Sequence, residues 1–167
     1  MTIRPLTSGD YQALQRFCCT GEVVPGYEAL IEDVVPSLTQ RIQAPEYRAW
    51  VKCEGDELIG VSSAHLIAVD EGETPLPPQS LVHVHIVAVQ LNYQGQGHGA
   101  ELFDSALATM GHLYGPINAV WTVHEQNERS RKLSESFGGE PIDIGRYAED
   151  SYLAYMVELQ GSGRAAD

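Results

Sequence analysis

Two histidines stand two residues apart in an apolar stretch, where His83 and His85 alternate with Val82, Val84 and Ile86. Such alternation is typical of a β-strand, in which every second side chain points to the same face, so both imidazoles are expected on one face. A neutral imidazole accepts a proton near neutral pH, directly or through an ordered water. The pair therefore predicts a general base for a reaction that begins with deprotonation of a nucleophile such as an amine.

Two other interpretations of this pair stay open. A strand histidine is often a half-buried residue that hydrogen-bonds its neighbours, and two histidines could also belong to a metal site. A metal site requires further ligands, and His65, His112 and His124 show no zinc-like spacing with the pair. No metal is therefore expected.

Glycines alternate in the segment 94–100, which has the sequence QGQGHGA and lies between a predicted strand and a predicted helix. Backbone N–H groups at a helix N-terminus lack partners and, with the positive end of the helix dipole, favour a phosphate. Glycine permits positive φ and a close approach of the backbone to a ligand. The segment contains no Lys or Arg, so backbone donors would carry the binding. A phosphate or pyrophosphate site is predicted, with a simple connecting turn as the alternative.

A dinucleotide site is a second interpretation of the same glycines. Gly95, Gly97 and Ala100 satisfy the G-x-G-x-x-G/A fingerprint, and Glu125 ends the next predicted strand. A dinucleotide fold requires several further βαβ units, whereas only one helix and one hairpin follow Glu125. A nicotinamide-dependent oxidoreductase is therefore the less favoured alternative.

The elements that position these residues follow from hydrophobic periodicity and from turn residues. The predicted order is β-α-α-β-β-β-α-β-α-β-β, with a mixed sheet and a parallel crossover at the glycine segment. The predicted strands are Thr2–Leu6, Tyr47–Cys53, Leu58–Val69, Leu81–Val89, Ile117–Val123, Ile142–Tyr147 and Tyr152–Leu159. The first predicted helix begins at Ser8, and the others span Tyr27–Gln43, His98–Met110 and Asn127–Phe137. An acidic, Pro-rich loop at Asp70–Ser80 and a frayed tail at Gly161–Asp167 complete the chain.

Composition narrows the class of protein. A chain of 167 residues with 43% hydrophobic and 20% charged residues fits one compact globular domain. The net charge of −13 argues against nucleic acid and anionic membranes as partners and favours a cationic small substrate. Three cysteines imply no disulfide framework. The apolar stretches are too short to span a bilayer and the first residues lack a signal-peptide layout, so a cytoplasmic protein is expected.

From Gln94 the glycine segment has the pattern Q-x-x-G-x-G, which resembles the acetyl-CoA pyrophosphate motif of the GNAT superfamily of N-acetyltransferases. The resemblance extends over nearly the whole chain. Ile3-Arg4-Pro5 with Asp10 is similar to the first strand and helix start of that family, and Asn127–Gly138 resembles its later helix. His83 and His85 resemble the His-x-His pair of the arylalkylamine (serotonin-type) N-acetyltransferases.

The resemblance implies a single α/β GNAT domain at residues 1–160, with a central mixed sheet flanked by helices. It implies an acyltransferase that moves an acetyl group from acetyl-CoA to a primary amine by direct attack, with no covalent intermediate and no metal. His83 and His85 would take the amine proton. The cofactor-binding residues that it implies are Val87, Ala88, Val89, Gln94, Gly95, Gln96, Gly97, His98, Gly99, Ala100 and Asn127.

The chain departs from this family at the expected proton donor. Where family members often place a Tyr that protonates the departing thiolate, this sequence has Ser134, which would reach the sulfur only through water. The proton could come instead from one of three other tyrosines, Tyr147, Tyr152 or Tyr155. A thiolate is also a fair leaving group without a proton donor. A catalytically decayed acyl-CoA-binding module is therefore an alternative function.

The acceptor is expected to be a small-molecule or peptide amine, with nucleic acid and membrane excluded, and a homodimer is an assembly that the resemblance allows. Carboxylates of the first helices and of the acidic loop would suit a cationic acceptor, or would serve only as solvated surface. These carboxylates are Glu22, Glu28, Glu32, Asp33, Asp70, Glu71 and Glu73.

Overall fold

The computed structural model describes residues 1–14, 16–17, 44, 46–70, 76, 79–142 and 152–160. The predicted helix 27–43 and most of the acidic loop lie outside the described residues, as do Tyr147 and the tail 161–167. Six of the seven expected acceptor-site carboxylates fall there too, and Asp70 is the described member.

Seven β-strands form one mixed sheet, as the sequence predicted. They are β1 (Thr2–Pro5), β2 (Tyr47–Glu54), β3 (Glu57–Val69), β4 (Gln79–Val89), β5 (Ile117–His124), β6 (Glu140–Ile142) and β7 (Tyr152–Leu159). Hydrogen-bonded neighbours follow the order β1-β2-β3-β4-β5-β7-β6. The β4–β5 pair is parallel, with Val82 opposite Ala119, whereas β1–β2, β2–β3, β5–β7 and β6–β7 are antiparallel.

Three α-helices are described: α1 (Tyr11–Leu14), α2 (His98–Tyr114) and α3 (Glu128–Ser136). Short 3₁₀ turns at Ser8–Asp10 and Leu91–Tyr93 lead into α1 and into the glycine segment. In the described part of the chain, no helix combines the length and the apolar character that crossing a membrane requires.

An ion pair that was not predicted from the sequence holds the start of the chain. Arg4 donates from both terminal nitrogens to the carboxylate of Asp10, at 2.8 and 2.6 Å. The same carboxylate accepts from the backbone N–H and the hydroxyl of Thr7. The Arg4 hydrogen bonds hold the pKa of Asp10 well below its ordinary range. This ion pair therefore anchors β1 to the helix that follows.

The backbone divides into two compact units. The first comprises Met1–His65 with His85–Ala106, and the second Leu66–Val84 with Leu107–Asp167. In the first unit an apolar cluster joins β1, α1, β2 and β3; its buried members are Leu6, Leu14, Phe17, Tyr47, Ala49, Val51, Leu58 and Val61. In the second unit, Val69, Leu81 and Val120 form a smaller cluster.

Predicted boundaries differ from the structure by two or more residues at the end of α2 and at the starts of β4 and β6. Helix α2 continues to Tyr114 rather than ending at Met110. Gly111 is a buried residue within the helix, and an added Cβ there would lie 3.2 Å from the carbonyl oxygen of Gln160. A close backbone approach, rather than a helix end, explains this glycine. The sixth strand was predicted to begin at Ile142 but comprises Glu140–Ile142, and its Pro141 fits the edge position that β6 occupies.

Candidate active site

At the end of β4 the backbone N–H and C=O groups point alternately toward β3 and away from it. An added Cβ at Gly60 of β3 would lie 3.2 Å from the Ala88 carbonyl oxygen, and the Gln90 N–H donates to the Ile59 carbonyl at 2.8 Å. Ala88 and Gln90 therefore face β3. Because backbone polar groups alternate along a strand, the N–H groups of Val87 and Val89 point to the opposite side. Those two N–H groups are the ones that could bind an extended ligand arm.

The glycine segment is a tightly wound turn held by its own side chains. The Gln94 amide donates to the Val89 carbonyl at 3.0 Å, and the Gln96 amide donates to the Asn92 carbonyl at 3.2 Å. Gly95 and Gly97 have φ values of +76° and +89°, which favour glycine. Apart from the adjoining residues of the turn, an added Cβ at either position would meet nothing within 4 Å in the described part of the chain. Their positive φ explains both glycines, and the space above them is open.

Helix α2 begins directly at the end of this turn. Its first helical hydrogen bond runs from the Glu101 N–H to the Gly97 carbonyl, at 3.1 Å. The N–H groups of His98, Gly99 and Ala100 precede that bond and so have no acceptor within the helix. Donors in this position are of the kind that bind anions at helix N-termini, so the assignment of this turn to a phosphate stays a prediction. The His98 side chain itself is buried, with 6% of its surface exposed, so its contribution would come from the backbone.

A buried lysine lies beneath this turn. The Lys52 ammonium pairs with the Glu101 carboxylate, and the Lys52 side chain is 2% exposed while that of Glu101 is 58% exposed. The Lys52 hydrogen bond, against some desolvation, holds the pKa of Glu101 below its ordinary value. The ion pair ties β2 to the first turn of α2, and the burial of Lys52 was not predicted from the sequence.

Replacing Glu101 with Gln is expected to lower the free energy of unfolding at pH 7 by about 1–3 kcal/mol, because a buried ammonium loses its partner. The figure lies below that for fully buried pairs, since water screens the exposed carboxylate. Lys52→Met removes the charge instead and should cost less. The lowered pKa means that Glu101 stabilises fully above its unfolded value of about 4.3 and that this contribution is lost as pH falls through the folded pKa. Urea unfolding at pH 7 compares the two variants, and equal losses in their free energy of unfolding would contradict the expected order. Urea unfolding below pH 4 tests the pH dependence, because the difference between the unaltered protein and Glu101→Gln should shrink there.

His85 belongs to a cluster of three rings, together with Tyr47 of β2 and His65 of β3. The rings of Tyr47 and His65 stack, with centroids 4.9 Å apart and planes inclined by 18°. The His85 ring meets both of them edge-on, at 6.2 and 6.3 Å. The Tyr47 hydroxyl lies 3.3 Å from the hydroxyl of buried Ser63. We call Tyr47, His65 and His85 the ring cluster.

The position of His85 shows that β4 is irregular near its end. Ile86 and Ala88 pack against the apolar cluster that contains Tyr47, and His85 contacts Tyr47 itself. Adjacent residues of a regular strand point to opposite faces, so the alternation breaks between His85 and Ile86. The irregularity comes just before the Val87–Val89 segment that the sequence analysis assigned to cofactor binding.

The remaining expected residues lie in the second unit. His83 is half-buried, stands opposite Val120 and follows buried Val82. Asn127 precedes α3, where its side-chain oxygen accepts from the Ser130 N–H at 3.1 Å. A pantetheine contact would therefore come from its amide N–H₂, which the cap does not use.

Ser134 is built into the packing of α3. Its hydroxyl accepts from the indole N–H of Trp121 at 2.8 Å and donates to the Ser130 carbonyl at 2.8 Å, and the residue is 2% exposed. Gly139 packs beside this pair, where an added Cβ would lie 2.8 Å from both the Ser134 carbonyl and the Trp121 ring. To protonate a thiolate, Ser134 would have to give up its bond to Ser130. The assignment of Ser134 as proton donor stays a prediction.

Ser134→Ala is expected to lower the free energy of unfolding by about 1–3 kcal/mol, because it removes the acceptor of a buried indole N–H. Ser136→Ala is the matched control, since the exposed Ser136 hydroxyl makes a similar bond to the Leu133 carbonyl on the same helix. Thermal unfolding and kcat are compared for the two variants. A more than tenfold fall in kcat in Ser134→Ala alone would identify Ser134 as the proton donor.

The described residues contain no group of three or more His, Cys, Asp or Glu placed to hold a metal ion. Within the first unit His85 contacts Tyr47 and His65, which the sequence analysis did not assign to the site, and the end of β4 leads directly into the glycine segment. The strand register, which places Tyr47 directly opposite His65, could be found only from the paired strands.

Residues 14–138, more than half of the chain, match the model of the acetyltransferase (GNAT) family. No curated protein matches the chain in sequence. Among solved structures, a GNAT-family protein from Desulfovibrio desulfuricans superposes with a TM-score of 0.68 at 16% identity, over 95% of this chain and 98% of that one. AtaTR bound with acetyl-CoA superposes with a TM-score of 0.68 at 23% identity, covering 95% and 93%.

AtaT has also been solved in complex with acetyl-methionyl-tRNAfMet, and that structure has a TM-score of 0.64 at 22% identity, covering 94% of each chain. At these identities the likeness is one of fold. It confirms the expected α/β fold with a mixed sheet. The expected exclusion of nucleic acid finds no support in it, because a protein of this fold forms a complex with tRNA.

Proposed function

Because the chain belongs to the GNAT family of acetyltransferases, we propose that it is an N-acetyltransferase in which a primary amine attacks acetyl-CoA directly. The observation that carries the proposal is the junction of β4 and α2. There, a turn with positive φ at Gly95 and Gly97 joins the strand end to the first N–H groups of α2, which have no acceptor within the helix. Such a junction suits a ligand with both an extended amide-bearing arm and a pyrophosphate, which is the chemistry of acetyl-CoA.

The N–H groups of His98, Gly99 and Ala100 would bind the pyrophosphate. Those of Val87 and Val89 would bind the pantetheine arm, and Asn127 would contact it through its amide. The Val89 N–H would also polarise the thioester carbonyl as the tetrahedral oxyanion forms.

The reaction needs a neutral amine, because a protonated amine has no lone pair. His83 and His85 would accept its proton, directly or through water. The amine nitrogen then bonds the carbonyl carbon and, as the C–S bond breaks, gives up its second proton to water. The CoA thiolate takes a proton from Ser134 through water or from solvent, and in the first case Ser134 regains its proton from solvent. We propose this scheme without a metal.

The acceptor proposed is a small-molecule or peptide amine, and a cytoplasmic location remains a prediction. The net charge of −13 supports a cationic acceptor and opposes the approach of a polyanion. The amino group of an aminoacyl-tRNA is nevertheless a primary amine, and a protein of this fold has been solved with an acetylated one. Aminoacyl-tRNA is therefore included among the acceptors to be tested.

Thiol release from acetyl-CoA over a panel of amines tests the proposal, with the N-acetyl product identified by mass spectrometry. The panel contains arylalkylamines, polyamines, amino sugars, peptides with a free N-terminus and aminoacyl-tRNA. Turnover of one class is the expected result. Tight acetyl-CoA binding with no turnover on any acceptor would instead favour the decayed acyl-CoA-binding module.

A further inference from the structure

In the ring cluster His85 has two neighbours, Tyr47 and His65, that its spacing along the strand does not reveal. The stacked rings of Tyr47 and His65 present their edges and faces to His85 from β2 and β3, with all three centroids within 6.3 Å of one another. Tyr47 is 4% exposed, and its hydroxyl lies 3.3 Å from that of fully buried Ser63. Tyr47, which contacts both histidines, is thus held in the interior, and His65 stacks on it.

A general base is effective when its ring is held in one orientation and when it is neutral at the working pH. A histidine on a strand can rotate about two side-chain bonds, and contacts with two packed rings restrict that rotation. The stack of His65 on Tyr47 in turn fixes the ring that meets His85. This arrangement accounts for orientation.

The second imidazole also affects charge. Two imidazolium rings about 6 Å apart repel each other, so the pair resists taking up a second proton. Protonation of His65 would therefore disfavour protonation of His85 and keep that imidazole neutral and able to accept a proton. Two titratable side chains contact His85 from the neighbouring strands, Tyr47 on β2 and His65 on β3.

We propose that His65, held in place by Tyr47, is a positioning residue that fixes the orientation and the charge state of His85 for amine deprotonation. This inference rests on the proposed function for its catalytic meaning. The coupling between the two histidines is a property of the protein alone, so it can be measured whether or not an acceptor is known.

The test is an NMR titration of the histidine Cε1–H signals in the full chain, comparing the unaltered protein with His65→Gln. Glutamine keeps a polar side chain but cannot carry charge, so the titration midpoint of His85 should rise by about 0.5–1 pH unit. His112→Gln, at an exposed histidine of α2, is the matched control and should leave the His85 midpoint unchanged. His65→Phe, which retains a ring, serves as a second variant if His65→Gln does not fold.

The kinetic arm uses the acceptor found by the amine panel. In His65→Gln the acid limb of kcat/KM should move upward by the same amount, with kcat near neutral pH about 3–10-fold lower and the Kd of acetyl-CoA unchanged. Tyr47→Phe should lower kcat about 2–5-fold without moving the acid limb. It removes the hydroxyl that lies beside Ser63 and so loosens the stack, but it leaves the charge of His65 unchanged.

The outcomes separate this inference from the proposed function. An unchanged His85 midpoint in a folded His65→Gln protein overturns the inference, even if the enzyme is active. A shifted midpoint with no turnover on any acceptor supports the coupling between the rings and counts against the proposed function.

Discussion

His85→Ala is expected to lower kcat/KM by about 10²–10³-fold near neutral pH, because a positioned general base contributes about 10²–10⁴-fold. Acetyl-CoA should bind within about threefold of its original Kd, since the proposed cofactor donors are backbone groups of the strand end and the glycine turn. The His83→Ala/His85→Ala double variant should lose at least as much. Thiol release measured against pH gives a further signature: the defect should shrink at high pH, where the free amine no longer needs a base.

His112→Ala is the control for this experiment, as an exposed histidine on α2. Full turnover in the double variant would remove the base assignment while leaving acetyl-CoA binding intact. A similar loss in turnover and in acetyl-CoA affinity would instead show that the histidines support the fold of the site.

Gly97→Ala is expected to weaken acetyl-CoA binding by about 10–100-fold. The new methyl group would enter the open space above the turn, where the pyrophosphate is proposed to lie, and the φ of +89° would add strain of about 1–2 kcal/mol. Gly115→Ala separates the two effects. Gly115 follows α2 with a φ of +76°, and an added Cβ there also meets nothing within 4 Å.

Both alanine variants should therefore lose similar stability in thermal unfolding, while Gly97→Ala alone loses affinity in a calorimetric titration. An acetyl-CoA affinity of Gly97→Ala equal to that of the unaltered protein would show that the turn only connects β4 to α2. Equal losses of affinity would show that the effect comes from strain and not from the ligand site.

Local sequence signals were sufficient for most of the described fold. Alternating apolar residues predicted β4 almost to its bounds, and the glycine segment marked the start of α2 to the residue. Those signals act over a few neighbours, which is why they were reliable there. The prediction of the end of α2 was wrong because Gly111 is buried against the backbone at Gln160, which is a contact between residues distant in sequence.

The candidate site shows the same division. The His-x-His spacing predicted a strand that carries both histidines, and both lie on β4, where each is half-buried. The partners of His85 could not be predicted, because Tyr47 and His65 approach it through the pairing of β2 and β3. The burial of Lys52 could not be predicted either, because the carboxylate that pairs with its ammonium comes from Glu101 of α2, 49 residues away in the sequence. The bonds of Ser134 to Trp121 and Ser130 likewise arise only when α3 packs.

The most direct test of the central claim is a calorimetric titration of the unaltered protein with acetyl-CoA and, separately, with a nicotinamide dinucleotide. The account predicts saturable binding of acetyl-CoA, comparable binding of CoA, and no binding of the nicotinamide dinucleotide. Binding of the dinucleotide in the absence of acetyl-CoA binding would contradict the assignment of the glycine segment and, with it, the proposed acetyl transfer.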